Sequence, residues 1–356
     1  MRNRTSPPVF RGALLGLGGV ARQSHLPGYE VPEVRRHLRV VAVVDANPLV
    51  TPPDGIPLLR TREALLDVDD LSFVDICTPT ASHVDLTLWA LERGYHVLCE
   101  KPVAVTHDDA LAIAKAARSA RRVVVPCHQY RYNPAWRTMR RWLAEGRIGR
   151  WHLAQFDVHR LAADVGAGGP GTPWRGTRHQ GLGGVLLDHG THLVYQLLDV
   201  AGVPSSVRGW TGRLRHAAYD VEDTAQLLFE YPDRAVTFFL TWAGRRRENR
   251  IRFIGENGSI EWAGGVLTLE TDGRAETHDF SAQLDKRSYA GWFAALFRDF
   301  RRAMATGEDA VHLRDITRVA QVLEAAYAAA GTDGTPIRSG WLPRLRRRRA
   351  RVRGAA

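Results

Sequence analysis

Apolar residues follow two rhythms along this chain. Up to about residue 130, short apolar runs rich in β-branched residues alternate with stretches of helical period. VFRGALLG, LRVVAVVD, SFVDICTP, YHVLCEKP and RRVVVPCHQY read as buried strands. GGVARQSHL, TREALLDVDD, HVDLTLWALERG and THDDALAIAKAARSA read as the helices between them. Pro27 limits the first helix, Gly94 ends the third, and Thr106 with Asp109 opens the fourth as a capping box. Strands alternating with helices of this length predict a parallel, doubly wound sheet.

From about residue 131 the rhythm changes. NPAWRTMRRWLAEGRIG is helical and WHLAQFDVHR is a strand. A Gly/Pro-rich loop, VGAGGPGTPWRG, leads to the apolar stretch GGVLLDHGTHLV. SSVRGWTGRLR, TAQLLFEYP, AVTFFLTWA and NRIRFIGENGSIEWAGGVLTLE then predict a large, mostly antiparallel open sheet. Two helices close the chain, so the sheet is expected to carry helices on one face and leave the other for a subunit. The expected organisation is α/β in two domains, residues 8–130 and 131–340, followed by a tail at 341–356.

Composition changes this picture little. The 356 residues are 44% hydrophobic and 24% charged, as in ordinary globular proteins. The formal net charge is +11, but seven arginines lie between 344 and 353, leaving +4 elsewhere. Such a block is expected to be a disordered, solvated extension, with binding to nucleic acid, anionic lipid or an acidic partner as the alternative. Cys77, Cys99 and Cys127 fit neither a zinc spacing nor a disulfide framework, and are expected to be reduced packing residues in a cytoplasmic protein. The early apolar run GALLGLGGVA lacks the cleavage site of a signal peptide, and no uncharged apolar stretch is long enough for a membrane span.

Two segments carry candidate chemistry. Gly16, Gly18 and Ala21 form G-x-G-x-x-A between a strand and a helix. Gly16 permits the turn, Gly18 admits a pyrophosphate, and Ala21 lets helix and strand pack closely. Gly19 and Val20 belong to the helix start, whose free N–H groups face the phosphates. Asp45 ends the next strand, where a carboxylate binds the adenosine ribose and repels a 2′-phosphate; NAD is therefore expected over NADP. The second segment is GGVLLDHGTHLV, which sets Asp188, His189 and His192 in an apolar run. A metal site, a catalytic face and a satisfied core histidine are all compatible with it. On a regular helix Asp188 and His192 share a face, and His189 points about 100° away. Two ligands without a third make a poor metal site, and no metal is expected.

The pieces GLGGVA, TPTASH, CEKP, YNPAWR, GRIG, PWR, GGVLLDHGTH and GENGSIEW, in this order, resemble the glucose–fructose oxidoreductase/inositol dehydrogenase/rhizopine catabolism (Gfo/Idh/MocA) family. The resemblance runs from Val9 to about Ile337. It implies a Rossmann domain, an α/β domain with an open sheet, and homodimers or homotetramers. Carried over by motif, it implies catalytic roles for Lys101, Asp188 and His192. Thr78, Pro79 and Thr80 then border the cofactor beside His83, and Glu100 supports Lys101. Two departures stand out: Ala81 where the family often has Asn, and Tyr195 where it often has Asp.

The resulting expectation is an NAD-dependent dehydrogenase or reductase acting on a secondary alcohol or ketone of a sugar, cyclitol or sugar derivative. His192 is expected as the general acid/base, Lys101 as the group that polarises the reacting oxygen or shares the proton, and Asp188 as substrate anchor and counter-charge. Trp174 and Arg175, with Tyr130 and Arg131, are candidates for substrate contact; packing suits Trp174, Tyr130 and Asn133 equally well. Glycosidic cleavage through transient oxidation, or a non-catalytic NAD-binding sensor, are the competing readings. The arginine tail alone favours the sensor.

Overall fold

The computed structural model describes residues 9–164, 173–285 and 288–331. The arginine tail at 341–356 and most of the Gly/Pro-rich loop lie outside the described residues.

Six strands form the first sheet: β1 Phe10–Leu15, β2 Leu38–Val44, β3 Leu58–Leu59, β4 Leu71–Ile76, β5 His96–Cys99 and β6 Val124–Pro126. All neighbours are parallel, in the order β3-β2-β1-β4-β5-β6. The order reverses between β1 and β4, so a crevice opens beyond their carboxyl ends. The strands are mostly apolar because both faces are covered: Ala13, Val74 and Val97 are fully buried in one core, and Leu14, Phe73 and Leu98 in those on the other side.

The helices differ from the sequence pattern in instructive ways. After the glycine turn the chain is π-wound over Ala21–His25 before α1 (Leu26–Tyr29), and α2 (Pro32–Arg35) follows. TREALLDVDD makes only a 3-10 turn over Glu63–Asp67, because Leu65 alone of it is buried and Leu66 is exposed. α3 (His83–Glu92) and α4 (His107–Ala120) form as predicted. Thr106 Oγ1 accepts the Asp109 amide at 3.1 Å, which is the N-terminal half of the capping box. α5 (Pro134–Ala144) is capped by Asn133, whose side chain accepts the amides of Ala135 and Trp136. That use accounts for Asn133 without a ligand.

The second sheet is built from β7 Trp151–His159, β8 Ser206–Gly212, β9 Thr224–Glu230, β10 Ala235–Thr241, β11 Glu248–Gly255, β12 Gly258–Ala263, β13 Val266–Thr271 and β14 Arg274–Asp279. Its order is β14-β13-β12-β11-β7-β10-β9-β8, antiparallel except for β7 with β10. α6 (Arg178–Gly181) is a single turn; α7 (Thr191–Ala201), α8 (Tyr289–Thr306) and α9 (Ala310–Ala330) are longer. Residues of α5, α7 and α9 pack on one face of the sheet against Phe156, Phe229, Phe238 and Phe253. Each such phenylalanine, fully buried, contributes about 2–3 kcal/mol of apolar transfer. On the other face Leu153 and Trp210 are about half exposed. α8 and α9 also pack on the first sheet, through Phe293, Phe297 and Phe300 and through Leu313 and Ile316. The two sheets are therefore joined by shared apolar cores. None of the described helices is long and apolar enough to cross a membrane.

Candidate active site

The glycine turn leaves the carboxyl end of β1. Gly16 has φ +88°, and a Cβ there would meet Thr78 N and Cγ2 at 2.9 Å, so both backbone and space require glycine. At Gly18 a Cβ would meet nothing within 4 Å. Helical winding starts at Gly19, so the amides of Gly19, Val20 and Ala21 form its first turn, where N–H groups lack intrahelical partners. Ala21 is fully buried against the sheet. Open space above Gly18 beside free amides fits a dinucleotide pyrophosphate. Asp45 follows β2 and closes the turn: its Oδ2 accepts the Leu17 amide and its Oδ1 the Asn47 amide, both at 2.8 Å. Arg60 stands beside it, donating to the carbonyls of Asp45 and Asn47.

Thr78, Pro79 and Thr80 lie just past β4, and Glu100 and Lys101 just past β5, on the same rim. His83 is 1% exposed, with Nδ1 2.7 Å from Pro102 O and Nε2 2.9 Å from Thr78 O. Burial lowers its pKa, so the ring is neutral and donates to one carbonyl only. His83 thus braces the Thr78 and Pro102 loops from behind instead of reaching into the crevice. Glu100 is also buried, with Oε1 3.0 Å from His25 Nε2 and Oε2 accepting the Lys101 amide. His25 Nδ1 meets Asp75 Oδ2 at 2.7 Å. Burial opposes charge on this imidazole, but Asp75 and then Cys77 outweigh it and raise the pKa well above the ordinary value. A charged His25 therefore ties the glycine-turn helix to β4 and β5. His25, Asp75 and Cys127 offer ligand atoms within 4.8 Å of one another. Both nitrogens of His25 are already held by carboxylates, which accounts for the cluster as a hydrogen-bonded strut.

GGVLLDHGTHLV enters the site through a close approach. A Cβ at Gly184 would lie 1.8 Å from Glu222 O, and one at Gly183 2.2 Å from Tyr327 Oη. Glu222 is buried and accepts the amides of Gly184 and Leu186 and the Tyr327 hydroxyl, capping the segment from a distant strand connection. The glycines thus admit these partners, a role that the sequence pattern did not reveal.

Leu186–Gly190 is π-wound before α7 begins at Thr191. An i→i+5 turn advances each residue by less than the ~100° of an α-helix. His189 consequently stands beside Asp188, with Nδ1 3.2 Å from Oδ2, and does not point away as regular helical phase predicted. Trp242 Nε1 donates to the same Nδ1 at 3.2 Å, so this nitrogen carries no proton. Burial is the main cause that pushes the His189 pKa down to about 3.

Lys101 and Asp188 meet across the crevice. Lys101 Nζ donates to Asp188 Oδ1 at 2.7 Å and to its backbone oxygen at 2.8 Å. Arg175 Nε lies 3.4 Å from the same Oδ1, its guanidinium stacked 4.2 Å from the Trp174 ring. Burial alone would raise the Asp188 pKa; Lys101 and then Arg175 outweigh it and hold it well below the usual range. His192 is buried, and Tyr130 stacks on it at 4.2 Å. Desolvation, then the Lys101 charge, lowers its pKa well below the ordinary value. Its Nδ1 lies 2.9 Å from Tyr195 Oη, which also accepts the Tyr130 amide at 3.1 Å. Burial raises the Tyr195 pKa well above its ordinary value, so the phenol keeps its proton. With an amide already donating to Oη, we assign that proton to His192 Nδ1, which leaves the ring proton on Nε2.

Lys101, Asp188, His192, Tyr130, Trp174 and Arg175 therefore gather at the rim. Arg131 does not join them: it is held by Asp199 and Asp315, away from the crevice. Sequence reasoning placed His189 off the site, missed Trp242, Glu222 and Arg160, and saw Tyr195 only as a departure. For Tyr195 the signal was its i+3 spacing from His192. The others come from separate elements or from the π-turn and carry no local pattern.

A glycine turn at a sheet crossover, a carboxylate after β2 and a lysine–carboxylate–histidine set at the rim define a dinucleotide-binding oxidoreductase. Residues 10–128 match the model described as the oxidoreductase family with an NAD-binding Rossmann fold. Residues 136–261 match the GFO/IDH/MocA C-terminal domain. The chain belongs to the Gfo/Idh/MocA family and is an oxidoreductase acting on CH–OH groups. It is 30% identical over 282 residues to D-apiose dehydrogenase of Paraburkholderia graminis, covering 77% of this chain and 71% of that one. It is 30% identical over 259 residues to 1,5-anhydro-D-fructose reductase of Ensifer adhaerens, covering 70% and 76%. Among solved structures, an oxidoreductase from Agrobacterium radiobacter in complex with NAD+, L-tartaric acid and magnesium superposes with a TM-score of 0.78, at 22% identity over 90% of this chain and 96% of that one. That last likeness concerns the fold alone.

Proposed function

We propose that the protein interconverts a secondary alcohol and a ketone on a sugar, cyclitol or sugar derivative, with NAD as its cofactor and Lys101 as the proton-transfer group. The observation that carries this reading is the Lys101–Asp188 pair, which joins the end of β5 to the π-wound turn before α7, with Arg175 beside it. When bound, the nicotinamide accepts or supplies the hydride. Gly16 to Ala21 hold the pyrophosphate, Asp45 the ribose, and Thr78 to Thr80 the flank of the crevice. Asp45 favours NAD by repelling a 2′-phosphate.

Lys101 spends two of its three ammonium donors on Asp188, leaving one for the reacting oxygen. His192 offers Nε2–H to the same oxygen. It is a poor proton donor there, since losing Nε2–H would require an imidazolate or a tyrosinate at Tyr195. Proton transfer therefore falls to Lys101, the second of the two groups expected to handle it, and His192 holds the oxygen by hydrogen bonding. Asp188 keeps Lys101 in place and anchors a substrate hydroxyl. Relatives that are sugar dehydrogenases and reductases support the substrate class. The half-exposed outer sheet face, with Leu153 and Trp210, suits a second copy of the chain.

The test is nicotinamide absorbance in mixtures of the protein with NAD+ or NADP+ and a panel of polyols, cyclitols and sugars, and with NADH and keto-sugars. Turnover with NAD+ that survives deletion of residues 341–356 and vanishes in Lys101→Met is expected. Absence of turnover in both directions would refute the reading, as would full activity in Lys101→Met.

A further inference from the structure

Arg160 immediately follows β7 and is 8% exposed. Its guanidinium makes three hydrogen bonds, all to neutral acceptors: His159 O at 2.7 Å, Glu248 O at 3.0 Å and Asn249 Oδ1 at 2.7 Å. Among the described residues no carboxylate lies within ion-pair distance of it. This is unusual, because a buried charge is ordinarily paired. Carbonyl acceptors orient the guanidinium but do not neutralise it.

The surroundings sharpen the imbalance. Arg160 lines, with Tyr130, His189 and His192, a cavity of about 20 Å³. Across the crevice Asp188 is already shared by Lys101 and Arg175. His189 and His192 are neutral, as their burial dictates. Asp157 also borders the cavity, but its carboxylate accepts from Gln155, a neighbour on the other face of β7. Three cations thus face one engaged carboxylate, which favours an anionic group of a ligand beside Arg160.

We propose that the substrate carries a carboxylate and that Arg160 binds it, so that the physiological substrate is a sugar acid and not a neutral sugar. The proposal rests on the dehydrogenase reading above and names the class within it. A guanidinium suits a carboxylate because its planar donors match the two oxygens and form charge-assisted bonds. A carboxylate is smaller than a phosphoryl group and so suits this small cavity better. The Tyr130 ring, stacked on His192, then sets the sugar between the carboxylate and the Lys101 ammonium.

The experiment compares kcat/KM for matched pairs with NAD+: D-glucuronate against D-glucose, D-galacturonate against D-galactose, and D-gluconate against sorbitol, with glucose 6-phosphate as the phosphoryl arm. The wild type is expected to prefer at least one acid over its neutral partner by tenfold or more. Arg160→Met should abolish that preference, a change of tenfold or more, because the site then lacks its ionic partner. Arg160→Lys should restore part of it, which a merely structural role would not do. In parallel, calorimetry with the NADH-loaded protein measures binding of the same acids without turnover. Preference for the neutral partners, or an acid preference unchanged in a folded Arg160→Met, overturns the proposal while leaving the dehydrogenase intact. Preference for glucose 6-phosphate over every carboxylate overturns it too. If nothing is turned over, the dehydrogenase reading falls; acid binding that depends on Arg160 still supports this site, and its absence refutes it.

Discussion

Replacing Tyr195 by Phe tests the hydrogen-bond chain behind the site. The side chain is fully buried, and its hydroxyl serves two partners, the Tyr130 amide at 3.1 Å and His192 Nδ1 at 2.9 Å. Removing one oxygen leaves both without a mate, and a buried unsatisfied group costs about 1–3 kcal/mol. His192 Nδ1 then faces a phenyl ring, which pairs with neither a bare nitrogen nor an N–H, so the expected loss is about 2 kcal/mol. At about 1–2 °C per kcal/mol for a chain of this length, the melting midpoint should fall by about 2–4 °C. The variant also lacks the donor that fixes the tautomer, so a share of the rings carries Nδ1–H and no longer offers Nε2–H to the reacting oxygen. Losing one neutral hydrogen bond of about 0.5–1.5 kcal/mol lowers kcat/KM about two- to tenfold. Nitrogen NMR of ¹⁵N-histidine-labelled protein reads the tautomer directly, beside the melt and steady-state rates. The wild type should carry the His192 proton on Nε2, and the variant should populate Nδ1–H. A wild-type ring protonated on Nδ1, or a variant with unchanged tautomer and unchanged kcat/KM, would refute the reasoning.

Three further outcomes are expected. Gly184→Ala should destabilise the protein by more than about 3 kcal/mol or prevent folding, since its Cβ would press on the rigid Glu222 carbonyl, whereas Gly18→Ala, in open space, should melt near the wild type but bind NAD more weakly; equal melts would contradict this. Asp45→Ser should shift the NAD/NADP affinity ratio toward NADP by about tenfold, the equivalent of about 1.4 kcal/mol, because it removes a like charge and leaves Arg60 to meet the phosphate; titration with both cofactors checks it. Acid should weaken the fold. Burial, aided by Arg122, pushes the His96 pKa down to about 4, and burial pushes that of His189 to about 3, whereas unfolded histidine titrates near 6.5. Below that value the unfolded chain takes up protons that the native rings refuse, so stability falls with pH, by at most about 1.4 kcal/mol per unit for each ring and less for the partly exposed His96. Urea unfolding between pH 7 and 5 should show this slope, and His96→Asn should flatten it; an identical slope in the variant would sink the assignment.

Much of the architecture was legible along the chain. The alternation of apolar runs with helical segments implies the parallel first sheet, and the short later runs imply the antiparallel second one. Both follow from local periodicity, which burial imposes on each element separately. Gly16, Gly18 and Asp45 were legible for a similar reason: their spacing encodes a strand–turn–helix that needs nothing else in the molecule. Lys101, Asp188 and His192 were found through motifs, but not their arrangement. Helical phase misplaced His189, because a π-turn forms only when Glu222 and Tyr327, far away in sequence, grip the start of that segment. TREALLDVDD has helical pattern yet stays a 3-10 turn, since only Leu65 finds a core to enter. Arg131 and Arg160 look alike as letters. Asp199 and Asp315 close around one, while neutral carbonyls and Asn249 surround the other. Sequence alone determined most of the strands and the longer helices, and the glycine turn at which a dinucleotide is expected. Which charges are cancelled, which proton sits on which nitrogen and which cation is left for a ligand were decided by tertiary packing, because electrostatic pairing depends on distances between residues that only the fold brings together.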